Sequence, residues 1–310
     1  MLTVVALGGN AITPRGSSGS PREQWSSVRV AARALADIVE EGFKLVVTHG
    51  NGPQVGYLIE AFDSLPSSMP RQTLDLAVAM TQGWLGFLIA HATEEELARR
   101  GLRKRVVVIP TRVLVSLDDP EFYNPSKYIG RYYEEEEARR VSKELGWAMK
   151  RDPRGGFRRV VPSPKPLKVL EVDVIKALVD QGYIVVAAGG GGIPVAMVNG
   201  SLKPVEAVVD KDLASSILAV ELEAHSLVVL TDVPGVAIRY GKPGETWLKR
   251  VRVEELKKHY EDGEFPPGTM GPKVLAAIYF VEKTGGRAHI GLLEEARNVV
   301  KGAKGTIVEP

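Results

Sequence analysis

Two stretches decide the fold: Leu2-Thr3-Val4-Val5-Ala6-Leu7-Gly8-Gly9-Asn10-Ala11, and Phe43-Lys44-Leu45-Val46-Val47-Thr48-His49-Gly50-Asn51-Gly52-Pro53-Gln54-Val55-Gly56. Each opens with an apolar, largely β-branched run and breaks abruptly into glycine, as a strand entering a turn does. Between them, 23–40 has helical period, so the three segments read as one βαβ unit of a parallel sheet. Working outward, helical period returns over 69–100, 170–181, 210–223 and 272–283, and strand-like runs occupy 105–109, 183–188, 226–230, 288–291 and 306–309. Both halves of the chain are therefore α/β. Between about 116 and 164 the alternation fails in a segment rich in Tyr, Arg, Glu, Pro and Gly, which reads as an insertion. Its run from Glu134 to Glu137 reads as a solvated helix face. No internal repeat, low-complexity tract or heptad array is present.

Composition narrows the function. The 310 residues are 44% hydrophobic and 25% charged, ordinary for a globular chain. Forty Lys and Arg against 38 Asp and Glu leave a net charge of +2, too little to attract nucleic acid or an anionic membrane through a broad field. A small-molecule site is the expectation. Met1 runs into the first strand without a basic leader, and no apolar stretch approaches the roughly 20 residues of a membrane span, so a cytoplasmic protein is expected. Cysteine is absent, and the five histidines show no HExxH spacing, which excludes disulfides, thiolate nucleophiles and Cys-ligated zinc. The scarcity of Asn and Gln beside abundant Arg, Glu and Pro is a bias shared with heat-adapted proteins.

Chemistry concentrates in the glycine loops. Gly8-Gly9-Asn10 and Gly50-Asn51-Gly52 both lie at carboxyl ends of parallel strands, where open α/β sheets bind ligands. Glycine lets backbone N–H groups approach an anion, and the helix N-terminus that follows adds partial positive charge. Either motif alone is equally well a tight turn; together they favour a phosphate or carboxylate site. Gly189-Gly190-Gly191-Gly192 follows a third strand and reads as a functional loop rather than a linker. Neither a P-loop nor the dinucleotide-binding GxGxxG spacing occurs, so phosphates must be held otherwise. Lys211, beside Asp210 and Asp212, and Lys273, after Met270-Gly271-Pro272, sit at predicted helix starts, where a cation is unfavourable unless an anion offsets it. The alternative for both is a solvated surface lysine.

The set Ala6–Ala11, Thr48-His49-Gly50-Asn51-Gly52-Pro53-Gln54-Val55-Gly56, Gly189 to Pro194, Asp210-Lys211-Asp212-Leu213-Ala214, Thr231-Asp232-Val233 and Met270-Gly271-Pro272-Lys273 resembles the carbamate kinases of the amino acid kinase superfamily. The resemblance spans nearly the whole chain in order. It implies a three-layer αβα sandwich around a mainly parallel open sheet, with the insertion at about 116–164 as a small protruding subdomain. Within one domain over 1–310, residues 1–169 would form the acceptor half and 170–310 the nucleotide half, usually in a homodimer. Gly8, Gly9 and Asn10 would contact the transferred phosphoryl group, and Gly50, Asn51 and Gly52 carbamate. Lys211 and Lys273 would neutralise phosphate charge, with Asp212 orienting them. Gly189, Gly190, Asp210, Thr231, Asp232, Val233, Met270, Gly271 and Pro272 would lie by the nucleotide, with Tyr240 near the base. ATP or ADP is implied as substrate and Mg2+ as cofactor, bridging nucleotide oxygens without a dedicated carboxylate cage, in arginine metabolism. Many superfamily members carry a lysine on the first strand, but Val4-Val5-Ala6-Leu7 supplies none; Lys127, in the insertion, matches the lysine that carbamate kinases bring over the site. By base rate it is a solvated loop residue. Two rival functions remain: another amino acid kinase with a larger carboxylate or phosphate acceptor, and a non-catalytic nucleotide-binding module.

Overall fold

Val4 and Ala6 turn to one side of the first strand and Val5 and Leu7 to the other, and all four are fully buried, so both faces of that strand are covered. The computed structural model describes residues 1–9, 12, 17, 19–66, 68–152 and 155–310; Asn10 lies outside the described residues. The strand is β1 (Leu2–Leu7). It leads to α1 (Pro21–Glu40), opened by a capping box between Ser20 and Glu23, and to β2 (Lys44–His49). Then come α2 (Gly52–Asp63), α3 (Leu74–Arg99), β3 (Val106–Val108) and β4 (Arg112–Leu114). The insertion holds β5 (Lys127–Tyr133), α4 (Glu135–Leu145), β6 (Met149–Arg151) and β7 (Phe157–Val161). After it run β8 (Lys168–Val169), α5 (Val172–Asp180), β9 (Ile184–Val186), β10 (Ile193–Val198), β11 (Ser201–Pro204), α6 (Lys211–Glu221) and β12 (Ser226–Thr231). The chain closes with β13 (Val236–Ile238), β14 (Thr246–Leu248), β15 (Arg250–Arg252), α7 (Val253–Glu261), α8 (Met270–Thr284), β16 (Arg287–Leu292), α9 (Ala296–Val300) and β17 (Thr306–Glu309).

Among the described residues the main sheet has eight strands in the order β15-β17-β16-β12-β1-β2-β9-β3. Every neighbouring pair is parallel except β16 with β17. On one face Val4 and Ala6 meet Ile175 of α5, Leu218 of α6 and Phe280 of α8; on the other Val5 and Leu7 meet Leu35 of α1, Ile89 of α3 and Val299 of α9. This is the expected αβα sandwich. The chain moves outward from β1 to β2 on one side and later adds β12 and β16 on the other, so the order reverses at β1. The crevice beyond the carboxyl end of β1 is thus the switch point at which such sheets bind ligands.

The insertion is more ordered than its composition suggests. β5, β7 and β6 form an antiparallel sheet backed by α4, and β4 pairs with β8 across its base, so the subdomain leaves and re-enters the body through adjacent strands. Glu135 and Glu137 pair with Arg139 and Arg131 on the α4 side, while Glu136 is exposed. Two expectations need correction. The helix sought over 69–100 begins only at Leu74, after Pro66 and Pro70, where Glu206 Oε2 accepts the Leu74 N–H at 3.1 Å. That helix, α3, has 26 residues and contains a window of mean hydropathy 1.2, so among the described residues it is long and apolar enough to cross a membrane by length and composition alone. Its apolar window is 56% buried, and it packs on α1 and β3, as a core helix does.

Candidate active site

The parallel register puts Leu7 beside His49 and beside Leu230, so the loops after β1, β2 and β12 emerge along one edge. A Cβ on Gly50 would stand 3.2 Å from Gly9 Cα and 3.5 Å from Lys211 Cδ. The two glycine loops and Lys211 therefore meet at one point. Gly9 and Gly52 face open space, since a Cβ on either would meet nothing within 4 Å. Gly9→Ala and Gly52→Ala should then fold normally yet lose at least about tenfold in turnover, because the methyl intrudes where an anion must approach the backbone. Melting temperature beside kcat checks this, and a proportionate fall in both would mark the loops as turns only.

Around that point stands an unusual set of buried charges. Asp210 caps α6, its Oδ1 accepting N–H bonds from Asp212 at 2.9 Å and Leu213 at 3.4 Å, while its Oδ2 accepts Lys127 Nζ at 2.7 Å. Asp212, one residue into the helix, accepts Lys211 on one oxygen and Lys273 Nζ on the other, the latter at 2.9 Å. Burial works to raise both carboxyls, but Lys127 for Asp210, and Lys211 with Lys273 for Asp212, outweigh it and hold both below the usual carboxylate range. Burial pushes the Lys211 ammonium down, whereas at Lys273 the attraction of Asp212 overcomes burial and pushes it up. Three lysines thus converge on two carboxylates. With Asp232 also near Lys273, the charges are closely balanced, but ammonium donors gathered beside the N-terminus of α6 still suit a phosphate group.

A cleft of about 530 Å³ opens from this point across the carboxyl end of β12. Gly8, Gly9, Thr231, Asp232, Val233, Tyr240, Met270 and Lys273 line it, together with Trp247, Phe265 and Glu294, which the sequence reading did not single out. Tyr240 and Trp247 meet edge to face at 6.0 Å beside the β13–β14 hairpin. Gly271 and Pro272 form the first turn of α8 behind Met270 and are not part of the lining.

Gly189 and Gly190 do not reach the cleft. All four glycines of that run are buried, and a Cβ on Gly189 would fall 2.3 Å from His49 Nε2 and one on Gly190 only 2.0 Å from Asn51 Nδ2. Gly191 and Gly192 similarly crowd Val209 and Val113, and Gly190, Gly191 and Gly192 all have positive φ. Their composition answers close packing against the loop that follows β2. Asn51, 3% exposed, donates from Nδ2 to Thr81 Oγ1 at 2.9 Å, which fixes the loop from below. Burial above all, opposed by the bond to the Gly50 carbonyl and helped by Lys211, pushes the His49 imidazole down to about 4. Burial and Arg287 do the same at His289, also to about 4. A neutral buried histidine loses nothing above its unfolded value of about 6.5; below that the unfolded chain takes up a proton the fold refuses. Stability should therefore fall between about pH 6.5 and pH 4, by up to about 3 kcal/mol for each histidine. Thermal melts across that window, with His289→Gln as the less sensitive variant, check it; a level profile would contradict it.

Among known proteins, the profile of the amino acid kinase family matches residues 1–291. This chain belongs to the amino acid kinase family. It is 50% identical over 309 residues to the carbamate kinase of Pyrococcus furiosus, covering 99% of this chain and 98% of that protein. A solved structure of a chain from Aeropyrum pernix K1 superposes with a TM-score of 0.95 at 56% identity, covering 100% of this chain and 99% of the other. The carbamate kinase of Giardia lamblia, solved with AMP-PNP, superposes at 0.91 with 37% identity, covering 99% and 98%. Within the family this chain therefore stands with the carbamate kinases.

Proposed function

We propose that this protein moves a phosphoryl group reversibly between ATP and carbamate, giving ADP and carbamoyl phosphate. The observation that carries this reading is the meeting of Gly9, Gly50 and Lys211 between the nucleotide-sized cleft and the acceptor loop of Asn51 and Gly52. Phosphoryl transfer asks little covalent chemistry of the protein; it asks for positioning and for positive charge on the equatorial oxygens. Lys211 and Lys273 meet that charge, Asp212 holds both ammonium groups in place, and Lys127 supplies the acceptor-side cation. Carbamate is already an anion, so no general base is required. In this reading the diphosphate lies along Gly8, Gly9 and Lys273, and the base lies toward Tyr240. Mg2+ would enter with the nucleotide, held mainly by its phosphates and water, and would offset phosphate charge; Asp212, with a lysine on each oxygen, is committed to orienting the ammonium groups.

Lys273→Met should weaken ADP binding at least about tenfold and slow turnover further, because the phosphates it touches are present in ground and transition states alike. Calorimetric titration with ADP reads this, and unchanged affinity would contradict it. The exposed Leu76, Met80 and Phe87 along α3 support a homodimer through that face; light scattering of the wild type and of Phe87→Glu tests it. For the function itself, ADP and carbamoyl phosphate should yield ATP in a hexokinase-coupled assay. Turnover only with acetylglutamate or an isoprenoid phosphate would replace the acceptor, and ADP binding without turnover would leave a binding module.

A further inference from the structure

We propose that Gly56 and Gly130 are positioning residues for Lys127, through a backbone crossing that docks the inserted subdomain onto the helix of the acceptor loop. The proposal rests on the role given to Lys127 above. A Cβ on Gly56 would lie 2.2 Å from Gly130 Cα and 2.3 Å from Gly130 N, so α2 and β5 touch backbone to backbone. Glycine inside a helix is less stable than alanine, and here the crossing is what requires it.

Gly130 is held from the other side as well. Its carbonyl accepts Arg158 Nη2 at 2.8 Å and Nε at 3.2 Å, its φ is +70°, and it lies within the β5–β7 register shift between Ile129 and Tyr133. The strand therefore bends at Gly130, and the bend sets the direction in which the Lys127 end leaves the crossing. Ile129 and Tyr133 pack with Val55 and Ile59 of α2 on either side of the contact, and Arg131 bridges Glu60 of α2 at 2.5 Å and Glu137 of α4 at 2.6 Å. At the near end Lys127 reaches Asp210 on α6. One turn before Gly56, the same helix starts at Asn51 and Gly52. Acceptor loop and Lys127 thus share one rigid mount, and their separation depends on how closely two glycines approach. Neither glycine lines the cleft, so the nucleotide is not expected to sense the crossing.

The test is a double-mutant cycle between Gly56→Ala and Lys127→Ala, with kcat, ADP affinity and melting temperature read for each protein. Gly56→Ala should keep ADP affinity within about twofold and lower kcat at least about tenfold, since displacement of a catalytic group by about 1 Å costs up to about a hundredfold. In that background Lys127→Ala should cost several-fold less than it does alone, because the lysine is already out of place. Full activity in Gly56→Ala, or losses that simply multiply, would overturn the proposal. Near-normal activity in Lys127→Ala alone would overturn it together with the assigned role of the lysine, whereas an inactive Lys127→Ala beside a fully active Gly56→Ala would overturn only the crossing. If Gly56→Ala melts too low to assay, Glu60→Gln with Arg131→Gln loosens the same contact without intrusion. The same coupling to Lys127 is expected there, and its absence would refute the idea.

Discussion

Lys127→Ala should lower turnover by at least about a hundredfold, the scale of losing one charge-stabilising donor, while lowering stability by only about 2 kcal/mol. β1 carries no lysine before its glycine pair, so the acceptor side has no cation from the sheet itself. In the proposed mechanism Lys127 supplies it from the subdomain: it is the first residue of β5, its side chain is 29% exposed, and its Nζ lies 2.7 Å from Asp210. Removing it unpairs one oxygen of Asp210, but Oδ1 keeps its two backbone bonds and Lys211 remains near, so the fold survives. Steady-state kinetics beside a melt decides the matter. Near-wild-type turnover would make Lys127 a surface partner of Asp210 and nothing more.

Asp212→Asn should damage both activity and stability, and that contrast with Lys127 is informative. The carboxylate is buried between the Lys211 and Lys273 ammonium groups, with its own side chain 4% exposed. Neutralising it leaves two buried cations facing each other, a change of about 3–5 kcal/mol by the usual cost of breaking a buried pair. Melting temperature should fall by several degrees or more, and turnover should fall at least about a hundredfold, because neither lysine is any longer held toward the phosphates. Linkage gives a second signature. A carboxyl held below its unfolded value stabilises the fold above about pH 4, and that contribution disappears as pH falls further. The stability difference between wild type and Asp212→Asn should accordingly be full at neutral pH and shrink below pH 4. A difference constant with pH would show that Asp212 is not ionised between the lysines.

The sheet, the α/β order and the glycine edges were legible because period two and period 3.6 are local and strong over segments such as 2–7 and 23–40. The meeting of Lys211, Asp212 and Lys273 was anticipated through resemblance rather than spacing. Nothing local indicates that Lys127 will find Asp210, 83 residues away. The glycine run at 189–192 misled for a related reason: its composition announces backbone proximity but not to what, and the partners, His49 and Asn51, come from a different strand. Trp247 had a weak signal in the Pro-Gly turn after Tyr240, which marks a hairpin able to present two aromatics together. The order inside the insertion escaped because its short antiparallel strands lack the long apolar runs that identify a parallel core.

The central claim is that one phosphoryl group passes directly between carbamoyl phosphate and ADP at the point where the two glycine loops meet Lys211. Phosphorus NMR of the purified wild-type protein with ADP, Mg2+ and carbamoyl phosphate tests it most directly. The carbamoyl phosphate resonance should decline as the γ-phosphate resonance of ATP rises in equal measure. Decay of carbamoyl phosphate to inorganic phosphate at the protein-free rate, with the ADP resonances unchanged, would contradict the account.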